Sequence, residues 1–301
     1  MDRSPTRRQF LKTTLAAAAL GAALPSRGGA EESAGGAKAP RLKKAVKFGM
    51  VGIQGSILEK FQLLKELGFQ GVEVDSPSGI NKEEAVRARG ETGIEIHGVV
   101  DSIHWDTRLS DSNEEVRAKA LEGLKTALRD CKTYGGTTVL LVPGAVRDKK
   151  RENHDQVWDR STAEVKKALP LAHELGIKIA IETVWNDFIT KPHEFAAYID
   201  QFQDPMVGGY FDISNMIKYG PSPARWIRIL GKRMLKFDFK GYSYDKQWVG
   251  IGEGDEDWPE VLKALAEVGY QGYATAEVGG GGREVLKDIA ERMDRVLGLR
   301  A

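Results

Sequence analysis

The chain has 301 residues but a single cysteine, Cys131, so no disulfide can form within it and its stability must come from its core. Cys131 lies in the helical stretch Ala127-Leu128-Arg129-Asp130-Cys131 and reads as a small buried hydrophobe rather than a reactive thiol. There are five histidines, too few for a His-rich trinuclear zinc site, which argues against phosphodiester-cleaving chemistry of that kind. Neither charge sign is in excess: Lys+Arg is 44 and Asp+Glu 43, a net charge of +1, so no global field holds nucleic acid or an anionic membrane. The first predicted strand leads into Gly52-Ile53-Gln54-Gly55-Ser56 rather than G-x-G-x-x-G, which weakens a dinucleotide-binding reading. The uncharged run Thr13 to Leu24 is too short and too Ala-rich to span a bilayer, so no stable membrane anchor is expected.

What is present at the N-terminus reads as an address. Thr6-Arg7-Arg8-Gln9-Phe10-Leu11-Lys12 precedes that apolar run, and small residues ending Gly28-Gly29-Ala30 follow it. A basic region, a short apolar core and a small-residue exit make a signal peptide, and the paired arginines before Phe-Leu-Lys resemble the bacterial twin-arginine signal. Residues 1–30 are therefore expected to be a twin-arginine signal peptide, 31–43 a flexible Gly/Ala linker, and 44–301 one folded domain. The expected partner during export is the twin-arginine translocase, and the expected location periplasmic or otherwise extracytoplasmic. No cysteine follows the apolar run, so a lipoprotein anchor is not expected. That route carries folded proteins, so a cofactor could be loaded before export. A homo-oligomer is compatible with the sequence.

From Val46 onward a short apolar strand followed by a helix-period stretch recurs. The predicted strands are Val46–Val51, Gly71–Asp75, Ile94–Val100, Thr137–Pro143, Lys178–Glu182, Gly208–Asp212, Met234–Lys240 and Tyr273–Val278. Predicted helices cover Ser56–Leu67, Asn113–Tyr134, Ser161–Leu175, Pro192–Phe202, Trp258–Val268 and Arg283–Leu297, with helix-stop glycines at Gly68, Gly135, Gly176 and Gly269. Continuous apolar strands alternating with helices indicate a parallel sheet covered on both faces. The length, about 250 residues, fits an α/β fold of (β/α)8 (TIM) barrel type, with a doubly wound open sheet as the alternative.

Chemistry in such a barrel sits at the C-terminal ends of the strands. Four consecutive strands end in or near a carboxylate: Glu182, Asp212, Asp238 and Glu277. Like charges gathered at one mouth repel, and buried carboxylates are costly, so something positive should sit among them. A divalent cation is the economical answer, with Lys240 and Lys236 as helpers; all-oxygen ligation suits Mg²⁺ or Mn²⁺ better than Zn²⁺. His104 and Trp105, after strand three, are a candidate acid/base and a stacking platform. Glu73, Trp185, Asn186 and Asn215 are candidate substrate contacts. His97, His154, His173 and His193 carry no chemical signal, and Gly279-Gly280-Gly281-Gly282 reads as a flexible connection.

These residues carry a recognisable pattern. Ile179-Ala180-Ile181-Glu182-Thr183-Val184-Trp185-Asn186, Tyr210-Phe211-Asp212-Ile213-Ser214-Asn215, Leu235-Lys236-Phe237-Asp238-Phe239-Lys240, Gly252-Glu253-Gly254-Asp255-Glu256-Asp257-Trp258 and Gly272-Tyr273-Ala274-Thr275-Ala276-Glu277 stand in an order and spacing that resembles the xylose isomerase-like superfamily of sugar phosphate isomerases and epimerases. The resemblance covers roughly Lys44 to Leu297. It implies metal ligation by Glu182, Asp212 and Glu277, with Asp238 at the position where the superfamily carries histidine. Asn215 stands where many epimerases carry a further histidine, and an amide cannot shuttle a proton at neutral pH.

The resemblance also implies a reaction. A metal acts as Lewis acid on the substrate carbonyl and adjacent hydroxyl, an enediolate forms, and Glu182 and Glu277 remove and return a proton from opposite faces. Lys240 would face the developing oxyanion, with a salt bridge to Asp238 as the structural alternative. The expected activity is a metal-dependent sugar isomerase or epimerase on a small carbohydrate. The first alternative is a metal-dependent lyase or hydratase on 3-keto-glycosides, in which the same enediolate expels a β-substituent. A non-catalytic carbohydrate-binding barrel is the alternative of another class. Export disfavours phosphorylated substrates.

Overall fold

The structure, a computed structural model, describes residues 39–150 and 152–299. The expected signal peptide and the linker up to residue 38 lie outside the described residues.

Eight parallel strands close into a barrel: β1 Leu42–Lys47, β2 Gly71–Ser76, β3 Glu95–Asp101, β4 Thr138–Leu141, β5 Lys178–Glu182, β6 Val207–Asp212, β7 Met234–Phe239 and β8 Gly272–Ala276. Each strand pairs with its neighbours in chain order, and β1 closes against β8 from Leu42↔Gly272 to Val46↔Ala276. Closure rules out the open doubly wound sheet. The helices are α1 Ile57–Glu66, α2 Lys82–Thr92, α3 Glu114–Tyr134, α4 His154–Leu175, α5 Pro192–Asp200, α6 Pro223–Leu230, α7 Trp258–Glu267 and α8 Arg283–Leu297. A short hairpin, Tyr242–Ser243 against Gln247–Trp248, rises from the loop after β7.

Local chemistry explains the element ends. Ser56 and Glu59 form a reciprocal capping box at the start of α1, and Asn153 with Gln156 does the same for α4. Gly135 and Gly176 end α3 and α4 at φ 77° and 68°, a left-handed conformation that costs a Cβ-bearing residue energy. The capping box explains why α4 begins at His154 rather than at the predicted Ser161.

Three parts of the chain differ from expectation. The first strand runs over Leu42–Lys47 rather than Val46–Val51, so Leu42 and Lys43 belong to the barrel and not to the linker. Lysines at 43, 44 and 47 hide the apolar pattern; Lys44 is buried outside the strand, 2.7 Å from Asp294 of α8. The unexpected helix α2 buries only Ala85, Ala88 and Thr92, too few apolar positions to announce a period. The unexpected α6 is eight residues long, and its Trp226, fully buried, stacks on Phe211 of β6 at 5.7 Å. The four-glycine run is also not a free connection. Gly281 accepts from Gly52 N–H at 2.9 Å and donates to Met50 C=O at 3.0 Å, and a Cβ on Gly280 would lie 2.1 Å from that Met50 oxygen. The glycines allow the loop after β8 to lie backbone to backbone on the loop after β1.

Trp226 backs the strand that carries Asp212, so Trp226→Ala should leave a cavity behind β6. Its expected cost is about 3–5 kcal/mol, read as a drop in the chemical-denaturation midpoint; a loss below about 1 kcal/mol would show that α6 does not brace the barrel.

Candidate active site

Glu182 ends β5, Asp212 ends β6, Asp238 lies near the end of β7 and Glu277 follows β8. One oxygen from each lies within 4.8 Å of the others. The barrel thus gathers four carboxylates that are spread over nearly a hundred residues of chain. Ser214 and Asn215 donate backbone N–H bonds to Asp212 Oδ1 at 2.8 and 2.7 Å, which leaves Oδ2 facing the cluster. The turn that supplies those N–H groups is held in place by Glu256, which accepts from Ser214 Oγ and from Tyr242 N–H, each at 2.7 Å.

Two ammonium groups stand among the acids. Lys240 Nζ contacts Asp212 Oδ2 and lies 2.6 Å from Glu277 Oε2. Lys47, from the end of β1, lies 2.6 Å from Glu73 Oε2 and 3.1 Å from Asp238 Oδ2. The second contact is an ion-pair distance without hydrogen-bond alignment, and neither Asp238 oxygen has a hydrogen-bond partner among the described residues. Lys47 was missed from sequence because the first strand was placed four residues late. Lys236, expected as a helper here, instead points deeper into the barrel, where its Nζ contacts the carbonyl oxygen and Nδ1 of His97.

That deeper layer is a hydrogen-bonded network. The ammonium of Lys236 donates to His97 Nδ1 at 2.8 Å, which puts the ring proton on Nε2, 3.3 Å from Thr275 Oγ1. Thr275 Oγ1 lies 3.3 Å from the Tyr210 phenol, and the phenol donates to Glu73 Oε2 at 3.1 Å. Glu73 is 1% exposed and receives Lys47 as well, so it anchors the base of the site and is not placed to contact a sugar. His97, which gave no sequence signal, is the hinge of this network; its inward position depends on the register shift between Val72 and Glu73, where β2 meets β3.

The charges do not balance without help. Burial, then the neighbouring Asp238 and Glu277 charges, push the Glu182 carboxyl well above its ordinary range. Burial likewise raises Asp238 strongly, more than Lys47 lowers it. Burial also tends to raise Glu277, but Lys47 and Lys240 outweigh it and hold that carboxylate below its ordinary range. Five carboxylates (Glu73, Glu182, Asp212, Asp238, Glu277) face two ammoniums (Lys47, Lys240). The surplus is relieved either by protons on Glu182 and Asp238 or by a cation. The donor set fits a hard divalent ion: it is all oxygen, neither Asp238 oxygen accepts a hydrogen bond among the described residues, and opposite ligands at 2.0–2.6 Å from an ion stand roughly 4–5 Å apart. A central ion would compete with Lys240 for Asp212 and Glu277.

A cavity of about 360 Å³ opens beside the cluster, lined among others by His104, Trp105, Arg147, Trp185 and Asn186. His104 is 3% exposed; Val142 N–H donates to its Nδ1 at 3.2 Å, so the proton sits on Nε2, which has no partner. Burial, with help from the Lys47 charge, pulls this imidazole down to about 3, so at neutral pH it is a neutral donor and not a proton shuttle. Trp105 is half exposed at the rim. The ring of Trp185 stacks on Trp248 of the hairpin at 4.7 Å, carries the Lys218 ammonium 3.9 Å from its centroid, and donates Nε1–H to Asn215 C=O at 2.5 Å. The Asn186 amide bridges two loops, donating to Gly144 C=O after β4 at 2.7 Å and accepting from Phe188 N–H of its own loop at 3.1 Å, so it shapes the wall of the cavity. The side-chain amide of Asn215 has no hydrogen bond among the described residues.

The profile of the xylose isomerase-like TIM barrel family matches residues 61–296. The chain belongs to this family. Within it, the chain is 25% identical over 239 residues to the putative L-ribulose-5-phosphate 3-epimerase SgbU of Escherichia coli, covering 73% of this chain and 82% of that protein. Among solved structures, 3-keto-D-glucoside 4-epimerase YcjR from E. coli superposes with a TM-score of 0.73 at 18% identity, over 85% of this chain and 99% of its own. The IOLI protein, solved with a zinc atom bound, superposes with a TM-score of 0.74 at 15% identity, over 86% of this chain and 99% of its own. These likenesses at low identity establish the fold.

Two outcomes follow from the electrostatics. A metal must displace protons held by Glu182 and Asp238, so Mn²⁺ affinity measured by calorimetry should rise from pH 5.5 to 7.5 and fall at least about tenfold in Asp238→Asn. His104 binds its proton more weakly folded than unfolded, so between 6.5 and about 3 the unfolded chain holds the extra proton and stability is lost as pH falls. In His104→Gln the decline of unfolding free energy with falling pH should be shallower by about 1.4 kcal/mol per pH unit in that window; an unchanged slope would contradict the buried neutral imidazole.

Proposed function

We propose that this protein is a divalent-metal-dependent sugar isomerase or epimerase. The observation that carries the reading is the convergence of Glu182, Asp212, Asp238 and Glu277 at the barrel mouth. The epimerase names borne by relatives support it. Mn²⁺ or Mg²⁺ suits the all-oxygen donor set, and such an ion would polarise the substrate carbonyl and acidify the adjacent C–H.

The residues divide the rest of the work. Glu277, held ionised by Lys47 and Lys240, takes the proton from carbon. Glu182, the second glutamate of the cluster, returns one to the substrate as the partner of Glu277. Lys240, already 2.6 Å from Glu277, stabilises negative charge developing on the substrate oxygen. The Asn215 side-chain amide orients a hydroxyl. Lys47 stays paired with Glu73 and Asp238 and keeps the base of the site charge-compensated.

A lyase on 3-keto-glycosides is the second reading. The cavity favours it, because it offers room for an aglycone beyond the reacting carbons. The paired arginines and the apolar run after them support export by the twin-arginine route and work on a scavenged, unphosphorylated carbohydrate.

Incubation of metal-loaded protein in D₂O with ketoses, aldoses and 3-keto-glycosides should give deuterium at the carbon beside the carbonyl, in a recovered sugar isomer for the isomerase and with aglycone release for the lyase. Glu182→Gln and Glu277→Gln should each lower the exchange rate by about 10²–10⁴. Absence of exchange with every sugar, with binding retained, would leave the carbohydrate-binding barrel as the reading. A fusion whose Arg7 and Arg8 are both changed to lysine should stay in the cytoplasmic fraction while the unaltered fusion reaches the periplasm.

A further inference from the structure

None of the four clustered acids lines the cavity of about 360 Å³ beside them, so whatever fills it is a part of the ligand remote from the reacting carbons. Its size lies within the range that encloses a small organic group. Its walls decide what kind. Val142, Ala145 and the edges of Trp105 and Trp185 are apolar and flat. The polar groups on the lining are mostly satisfied by the protein. Arg108 is bonded to Ala145 C=O at 2.9 Å and paired with Glu152 and Asp111 at 3.1 and 3.2 Å. The Gly144 carbonyl is held by Asn186, and Asp187 is paired with Lys149 at 2.8 Å.

Two donors remain. One is His104 Nε2–H, buried and unpartnered. The other is the Arg147 guanidinium, which gives one nitrogen to Trp105 C=O and has no carboxylate within ion-pair distance among the described residues. A second sugar ring, with hydroxyls that both donate and accept, would leave its donors without partners in such a space. A flat ring bearing an anionic oxygen would lay one face on the Trp105 indole, meet the edge of Trp185, and place its acceptor at Arg147 and His104.

We propose that this cavity is a subsite for a planar, carboxylate-bearing aromatic substituent on the sugar, so that the substrate is an aryl glycoside rather than a free monosaccharide. The proposal rests on the carbohydrate reading of the acid cluster and extends it by a second, separately testable site.

Calorimetric titration of the metal-loaded full chain with methyl, phenyl and 4-carboxyphenyl β-D-glucopyranoside reads the subsite without turnover. The phenyl glucoside should bind about tenfold more tightly than the methyl glucoside, and Trp105→Ala should remove that difference. The 4-carboxyphenyl glucoside should gain about a further threefold or more, lost in Arg147→Ala and reduced at high salt. Unchanged far-UV circular dichroism and melting temperature would establish that both variants fold. Equal affinity for the three glucosides, no binding of any of them, or a preference untouched by both substitutions would overturn the proposal. Deuterium exchange into sugars without an aryl preference would overturn the subsite alone. An aryl preference without exchange in any sugar would overturn the isomerase and lyase readings alone.

Discussion

Two lysine ammoniums set against five carboxylates at one end of a closed barrel form the constraint on which the rest of this molecule depends. Lys240 lies between Asp212 and Glu277, and Lys47 between Glu73 and Asp238. Removing so many charges from water is costly unless each is paired or hydrogen-bonded. The lysines compensate part of the negative charge, and the remainder creates both the raised protonation of Glu182 and Asp238 and the affinity for a divalent ion.

The surrounding structure serves to hold that cluster still. Backbone N–H groups after β6 fix one oxygen of Asp212, and Glu256 fixes the turn that supplies them. Beneath, hydrogen bonds link Lys236, His97, Thr275, Tyr210 and Glu73, so the residue that carries Lys47 is itself pinned from below. Outside, Phe211 and Trp226 brace β6 from the helical layer. The reacting centre is therefore rigid, charged and polar. The neighbouring cavity, by contrast, holds no carboxylate of the cluster and keeps most of its polar groups bonded to the protein, and that difference in chemistry is what lets the two regions recognise different parts of one ligand.

The acids at the strand ends were legible because strands five to eight are short apolar runs whose last residues are conspicuous. Lys47 was not, since three lysines in six residues conceal β1 as a strand, and a shift of four residues moves the strand end past it. His97 was not legible either: its role depends on the ring stacking of Tyr273 at 4.2 Å and on Lys236, which reaches it from the far side of the barrel. Asn186 was legible as a polar residue in the right loop, but its amide ties that loop to Gly144 after β4, which no local pattern announces. Helix α2 escaped notice because a surface helix with a narrow buried face carries little period.

The sequence by itself determined the order of strands and helices, the barrel class, and which acids end neighbouring strands, because these follow from hydrophobic period and chain order. Tertiary structure alone decided which cations meet those acids, which polar groups remain free, and which face of each loop is exposed to a ligand. The reason is physical. Distances of a few ångströms between residues far apart in the chain set charge compensation and hydrogen-bond satisfaction, and neither quantity has a local signature in the sequence.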